Sequence, residues 1–499
     1  MSIFEKIKKI SEKNPNKLAL IVDNYHLTYR ELVILVNSVS ELFNNLKIKS
    51  KDKIGVVENN TIEFILIFLA AANIGAIVVP LNTCYTQKMI YENFKKLKID
   101  HLIIWHNYLK YFKKNKLKLK NTIIIGKRFN NFKFFGDYKK YLNLEKKHEK
   151  KINNLKDFVI ILTSGSTNNP KPIVLSQKTK ILRSIETRKL YNINSTDVVL
   201  GTLPLDTSLG QRLLLLPLLC GGTSVILNTF TTSNFYRMVK EHNITFTILV
   251  SSQINELAKD KNKFKKLYIK KGFVSASAKL SDEIKEKLLK KNYNIYEMYG
   301  ATETGTVTNL CINKEVKNYK SVGRPCNKTR IKILSEKNFF MSKNYVGEIL
   351  CHTPLKFSRY LGMQKETKES FFKNYFKTGD IGYIDKNNYL YYLGRKKNVL
   401  KISGITVYPE DIEKIVIQNK NILETAVLGL TDKNGLEKVI LCVVPKNKNC
   451  SREKLLDYCY NNLATFQQPS NLIFLQSLPK TTLGKINKPV LKKIISKKL

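Results

Sequence analysis

The chain has 499 residues, 43% hydrophobic and 10% aromatic, and its 86 Lys and Arg against 40 Asp and Glu give a formal charge of +46. This apolar content excludes a disordered chain, and the length exceeds a single ordinary core, so roughly two to four domains are expected. The lysines lie in doublets and triplets among asparagines without the interleaved aromatics of a stacking module, so no specific nucleic-acid partner is expected and the basic surface is a general field for anions.

Residues 1–17 alternate charged and apolar side chains as an amphipathic helix does, and no secretory leader is expected. The most membrane-like stretch, 64–81, is split by Asn73 and Gly75 and closed by Pro80, which favours a buried helix followed by a strand at 76–79 over a transmembrane segment. Strands are expected at 54–57, 102–104, 158–162, 225–227 and 247–250, with a buried helix at 63–72. Short apolar runs between helices predict an α/β fold with largely parallel sheets up to about residue 330, while 107–156 is a polar, aromatic-studded excursion that the pattern does not order. Beyond 330 the strands become shorter and more alternating, at 330–334, 346–350, 382–384 and 390–393, as in an antiparallel or barrel-like part. A polar hinge at 395–398 precedes a small α+β domain, with helices at 409–418 and 451–463 and strands at 425–430, 439–444 and 472–475. The eight cysteines are scattered without a C-x-x-C pair, and are expected to be reduced, mostly buried thiols in a soluble cytoplasmic protein.

Directly after the strand at 158–162, Thr163, Ser164, Gly165, Ser166, Thr167 and Lys171 combine hydroxyl donors, a glycine that permits a tight turn and a positive charge, which together suit phosphate binding. The order is not that of a Walker A loop, and the segment alone is also readable as a polar surface turn. In the run 296–305, Tyr299, Thr302 and Glu303 stand among glycines; Glu303 suits Mg²⁺ at nucleotide phosphates, or the segment is a capped turn. Asp380 follows a Thr-Gly turn and suits the paired hydroxyls of a ribose, with Arg395 near enough in a hairpin-rich region to donate to ribose or phosphate. In 478–486, Gly484 permits close approach to a partner domain while Lys485 reaches into a shared cleft, or Lys485 is simply solvated.

Taken in order, TSGST-x-x-PK, YGATE, TGD, GRKKN-x-x-K-x-SG and LPKTTLGK resemble the adenylate-forming acyl-CoA synthetases, relatives of carrier-protein-loading adenylation domains and luciferases. The resemblance runs from Leu27-Thr28-Tyr29 through Lys485. It implies a large N-terminal domain, 1–396, with two α/β subdomains and a small β-barrel at about 330–396, and a mobile α+β C-terminal domain, 397–499. It further implies activation of a carboxylic acid by Mg-ATP to acyl-AMP, then transfer to a thiol, usually that of CoA. The implied roles are phosphate binding for residues 163–167 and Lys171, adenine packing for Tyr299, α-phosphate contact for Thr302 and Mg²⁺ for Glu303. Asp380 and Arg395 would hold ribose, Lys485 would serve adenylation, Lys397 would be the hinge, and Ser403 and Gly404 would line the thiol channel.

Glycine usually stands where this chain has Asn168 and Pro172, Asn398 replaces an acidic residue after the hinge, and Ser251 stands where proline often follows the strand at 248–250. Asn supports a left-handed turn, whereas Pro172 fixes φ and removes an N–H. The segment 404–413 resembles the VYP-x-x-IE form of acyl-CoA synthetases, which favours CoA over an acyl carrier protein. The acid pocket is expected around Asp206 and Thr207, backed by the small residues Ser275 and Ala276. Asp206 sits where amino-acid adenylation domains pair with an α-ammonium, or it caps the following Leu-rich helix. A nucleotide-binding interaction protein without catalysis is the competing class.

Overall fold

The computed structural model describes residues 1–58, 60–82, 86–108, 122–129, 132–142, 156–162, 170–290, 293–402, 405–431, 436–447, 450–481 and 484–496. The strand Lys53–Val57 is buried over 54–57, as a central parallel strand covered on both faces must be. It lies between Ile77–Pro80 and His101–Trp105, with Ile54 opposite both Val78 and His101. The helix Ile62–Ile74 is apolar around nearly its whole circumference and ends on Gly75 at φ +79. Such a helix belongs inside a core, and among the described residues no helix is long and apolar enough to cross a membrane.

The first α/β sheet has eight strands in the order Arg359–Tyr360, Pro172–Ser176, Asp157–Leu162, Ile77–Pro80, Lys53–Val57, His101–Trp105, Thr122–Ile125, Lys133–Phe134. The second has nine, in the order Arg324–Pro325, Gly305–Cys311, Ile295–Ala301, Phe273–Ala276, Phe246–Val250, Val198–Gly201, Thr223–Ile226, Leu18–Val22, Tyr25–Thr28. Parallel pairs fill the middle of each sheet, as the apolar runs predict. Antiparallel pairs lie toward the edges, and two of them frame the nucleotide motifs: residues 163–171 connect Asp157–Leu162 to Pro172–Ser176, and the YGATE turn connects Ile295–Ala301 to Gly305–Cys311.

The barrel-like part is a six-stranded antiparallel sheet in the order Phe340–Met341, Arg330–Leu334, Gly347–His352, Tyr375–Ile384, Phe371–Phe372, with Leu390–Arg395 paired to the long strand. Register shifts at Glu348/Leu350 and Ile381/Gly382 are bulges, which bend and twist a sheet into a half-barrel. The TGD motif is not a turn ahead of a strand. It lies inside Tyr375–Ile384, where Gly379 takes φ +70 in a paired strand and Asp380 stands opposite Arg395.

The C-terminal part folds the helices Pro409–Val416, Arg452–Asn462 and Lys488–Ser496 onto the strands Ile422–Thr431, Glu437–Pro445 and Asn471–Phe474. Its two apolar clusters draw no residue from before Leu400. Among the described cysteines Cys351, Cys442 and Cys459 are buried, Cys220, Cys311, Cys326 and Cys450 are half-buried, and all are free thiols. Fewer are sealed from solvent than expected, because several sit at strand ends and caps rather than mid-strand.

Candidate active site

The YGATE hairpin presents Thr302 and Glu303 at its tip. Ala301 N–H donates to Thr304 Oγ1 at 3.0 Å and Thr304 N–H donates to Ala301 O at 3.2 Å, which closes the turn. Gly300 is required there, since a Cβ on it would fall 2.0 Å from Gly305 O. The carboxylate of Glu303 accepts from the Tyr360 hydroxyl at Oε1, 3.0 Å, and its carbonyl accepts from Phe357 N–H at 2.6 Å. Lys171 Nζ lies over the Tyr360 ring, 4.8 Å from its centroid. Tyr360 therefore joins the lysine of the phosphate motif to the carboxylate of YGATE, and burial together with Glu303 pushes its phenol up, so it remains a donor.

Sequence reading missed Tyr360. It lies in the two-residue strand Arg359–Tyr360, whose only sequence signal is the aromatic run Phe357, Tyr360, Phe371 and Phe376 that packs ring on ring. Thr163, Ser164, Gly165, Ser166, Thr167 and Asn168 lie outside the described residues, as do Ser403 and Gly404. Pro172 opens its strand opposite Leu162, the strand position where proline is tolerated, and its carbonyl still accepts from Leu361 N–H at 2.9 Å.

On the ribose side Asp380 is 4% exposed. Arg395 Nε is 3.0 Å from its Oδ1, and Arg395 Nη1 donates to Thr378 O at 3.0 Å. Tyr299, the residue expected beside an adenine ring, donates its hydroxyl to Asp380 Oδ2 at 2.6 Å, and its ring is tilted against Tyr392. Burial raises the pKa of Asp380, while Arg395, Tyr299 and Lys485 oppose the rise and Glu303 adds to it. Glu303, Arg395 and Lys485 thus all act on Asp380.

Lys485 is carried by a short hairpin in which Thr481 N–H donates to Lys485 O at 2.7 Å and Lys480 bridges Ile486. Gly484, at φ +72, faces the helix Ser251–Lys259 so closely that a Cβ would lie 2.8 Å from Ser252 Cβ. That contact, the Lys414–Asp282 ion pair at 2.7 Å and the Lys401–Glu336 pair at 3.6 Å seat the C-terminal part over the cleft. The Lys485 side chain stays open to solvent in the cleft, yet the surrounding protein and Arg395 bring its pKa down to about 8 against the pull of Asp380. Lys397, the expected hinge, is exposed in the one-turn helix Lys396–Asn398 between the half-barrel and the next strand.

Asp206 and Thr207 precede the helix Ser208–Leu218. The cap is Thr207, whose Oγ1 accepts from Gly210 N–H at 3.0 Å and donates to Pro204 O at 2.7 Å, so Asp206 does not cap and the Thr207 hydroxyl is engaged. Asn82 Nδ2 donates to Asp206 Oδ2, while Asp206 Oδ1 is buried without a hydrogen-bond partner among the described residues. Burial pushes this carboxyl from 3.8 up to about 6, and the Asn82 bond only partly offsets it. Asn60, also missed in the sequence, fixes the segment by donating to Leu203 O at 3.1 Å and accepting from Leu205 N–H at 2.7 Å. Ala276 packs with Leu203 and Met298, but Ser275 is the adjacent residue of the same strand and therefore points to the opposite face of the sheet.

Among the described residues no group of three or more His, Cys, Asp or Glu is placed to hold a metal unaided. The hard carboxylate oxygens of Glu303, bonded to the Tyr360 hydroxyl whose ring lies under Lys171, suit a Mg²⁺ that arrives on a nucleotide, since Mg²⁺ commonly takes one or two carboxylates beside phosphate and water.

The AMP-binding enzyme model matches residues 7–361, and the AMP-binding enzyme C-terminal domain model matches residues 411–485. The chain is 22% identical to indoleacetate–CoA ligase of Aromatoleum aromaticum across 100% of this chain and 99% of that protein. ATP-bound MatB from Rhodopseudomonas palustris superposes with a TM-score of 0.88 at 22% identity, covering 99% of each chain. The o-succinylbenzoate CoA synthetase of Bacillus subtilis, solved with its acyl-adenylate intermediate, gives 0.87 at 21% identity over 99% of this chain and 98% of that one. These structures share the fold.

Proposed function

This chain belongs to the AMP-binding enzyme family, and we propose that it is an AMP-forming acid–thiol ligase that activates a carboxylic acid with ATP and transfers the acyl group to CoA. The observation that carries the reading is the convergence of Glu303, the hairpin pair Asp380 and Arg395, and Lys485, from three distant segments, on one cleft.

Asp380 accepts the ribose hydroxyls, with Arg395 opposing the rise in pKa that its burial causes. Lys171 and the hydroxyls of residues 163–167 receive the β- and γ-phosphates. Thr302 donates to the α-phosphate, and Lys485 places its ammonium between that phosphate and the incoming carboxylate. Glu303 holds Mg²⁺, which when bound neutralises phosphate charge. A carboxylate oxygen forms a bond to the α-phosphorus as the bond to the β-phosphate oxygen breaks, giving acyl-AMP and pyrophosphate. The C-terminal part then turns about Lys397 and brings Ser403 and Gly404 to the thiol. The thiolate sulfur attacks the acyl carbon and AMP leaves with the electron pair of the broken C–O bond.

Asp206 supports a narrower reading of the acid. A buried carboxylate oxygen without a partner among the described residues is satisfied by an ammonium or hydroxyl on the substrate, so the preferred acid bears such a donor. An amino acid handed to a carrier-protein phosphopantetheine is the second form of this reading. The test is ATP–pyrophosphate exchange over a panel of plain and donor-bearing acids, followed by thioester formation with CoA or a carrier protein. No exchange with any acid, from folded protein that binds ATP, would leave the chain a nucleotide-binding protein without catalysis.

A further inference from the structure

The helix Gln177–Leu190 buries a guanidinium that sits directly behind the YGATE turn. Arg183 is 2% exposed, and among the described residues no carboxylate accepts a hydrogen bond from it. Its acceptors are neutral: Leu355 O from Nε at 3.0 Å and from Nη2 at 2.8 Å, Ser208 Oγ from Nη1 at 2.9 Å, and Thr302 O from Nη2 at 2.9 Å, with Glu303 O more distant at 3.4 Å. Gly305 exposes its backbone to this group, since a Cβ there would lie 3.1 Å from Arg183 Nε. A second buried guanidinium, Arg212 at 5% exposure, donates to Thr306 Oγ1 at 2.7 Å on the strand that leaves the same turn.

Burying an arginine whose hydrogen bonds, among the described residues, all go to neutral oxygens is costly even with the Glu303 carboxylate in its field, and an apolar side chain would fill the same layer more cheaply. What a planar five-donor fork offers that an apolar residue cannot is a fixed geometry for several carbonyls at once. The carbonyls chosen here belong to Leu355 and to the tip residues Thr302 and Glu303, and the remaining donor reaches the first residue of the helix that follows Asp206.

We propose that Arg183 is a positioning residue, which holds the backbone of Thr302 and Glu303 so that their side chains face the nucleotide phosphates, and ties that turn to the helix at the acid pocket. This rests on the assignment of Thr302 and Glu303 to the phosphate and its Mg²⁺. Arg183 itself touches no substrate. Its loss loosens the phosphate end of the cleft and leaves the ribose end, built on Asp380 and Arg395, intact.

The test uses the full chain with Arg183→Gln and Arg183→Lys, the second keeping the charge but not the fork. Thermal melting reports folding, and calorimetry measures the affinity for AMP and for α,β-methylene-ATP with and without Mg²⁺. The expected result is AMP affinity within about twofold of the parent, with the Mg²⁺-dependent gain in α,β-methylene-ATP affinity reduced about tenfold in both variants, the loss expected for a charged hydrogen-bond donor. An unchanged Mg²⁺ gain in a folded variant overturns the proposal. So does a parallel fall of AMP affinity, analogue affinity and melting temperature, or failure of both variants to fold, since each marks Arg183 as scaffold only. A parent protein that binds neither nucleotide overturns the reading of the site itself.

Discussion

Replacing Asp206 by Asn should stabilise the ligand-free protein, and only above mildly acidic pH. The folded carboxyl titrates near 6 instead of 3.8, so the folded chain holds this proton more tightly than the unfolded chain does. The contribution of Asp206 to stability is therefore greatest below 3.8 and is lost as pH rises toward 6. Above that pH the ionised group destabilises the fold by up to about 3 kcal/mol, the free energy equivalent of the displacement. Asn retains an oxygen for the Asn82 amide and removes the charge. Urea midpoints measured at several pH values should show Asp206→Asn well above the parent at pH 8, with the gap closing toward pH 4. Equal midpoints at pH 8, or a gap that does not change with pH, would refute the reasoning, because a satisfied carboxylate has no such cost to relieve. Amino acids should raise the melting temperature of the parent at pH 8 and not that of the variant if the free oxygen is an ammonium site.

Lys485→Ala should slow acyl-AMP formation by about 10²–10³ while thiolysis of supplied acyl-AMP stays near the parent rate, in single-turnover assays of each half-reaction. Because its ammonium titrates near 8, the adenylation rate of the parent should fall as pH rises through that value, and this limb should be absent in Lys485→Ala. Tyr360→Phe removes the donor to Glu303 but keeps the ring under Lys171, and adenylation should drop by about 10–100-fold, the range for a hydrogen bond to a charged acceptor, without a matching loss of melting temperature. Lys285→Met leaves Glu297 buried without its cation and should cost about 3–5 kcal/mol in denaturant titrations, most of it recovered by pairing the change with Glu297→Gln.

The layered α/β plan was readable from the sequence because a strand such as Lys53–Val57 and a helix such as Ile62–Ile74 are buried on nearly every side, and burial of that kind leaves uninterrupted apolar runs. The curled sheet was less readable. A Thr-Gly pair normally marks a turn, and nothing local shows that Gly379 instead occupies a bent strand in which Asp380 faces Arg395. Motif residues bearing charge were found because a charge at a cleft stands out from its neighbours. Tyr360, Asn60 and Arg183 were not, because each acts through a partner more than fifty positions away and resembles an ordinary aromatic, loop amide or helix cation in its own window.

The same distinction bears on how the cleft is made. Glu303 is held on its carboxylate by Tyr360, from the edge strand of one sheet, and on its backbone by Phe357 and Arg183, from a loop and a helix outside its own strand pair. Asp380 is held by Tyr299 from the second α/β sheet and by Arg395 from the half-barrel. Each of these two carboxylates is therefore fixed by at least two elements that meet only in the folded chain. Lys485 differs: its hairpin is closed by its own backbone and presses on Ser252 through Gly484, so in the proposed reaction it is the group that enters and leaves as one piece. In the proposed reaction, fixed acidic groups with one movable cation let a single cleft bind the nucleotide throughout and admit a second nucleophile after the first bond has formed.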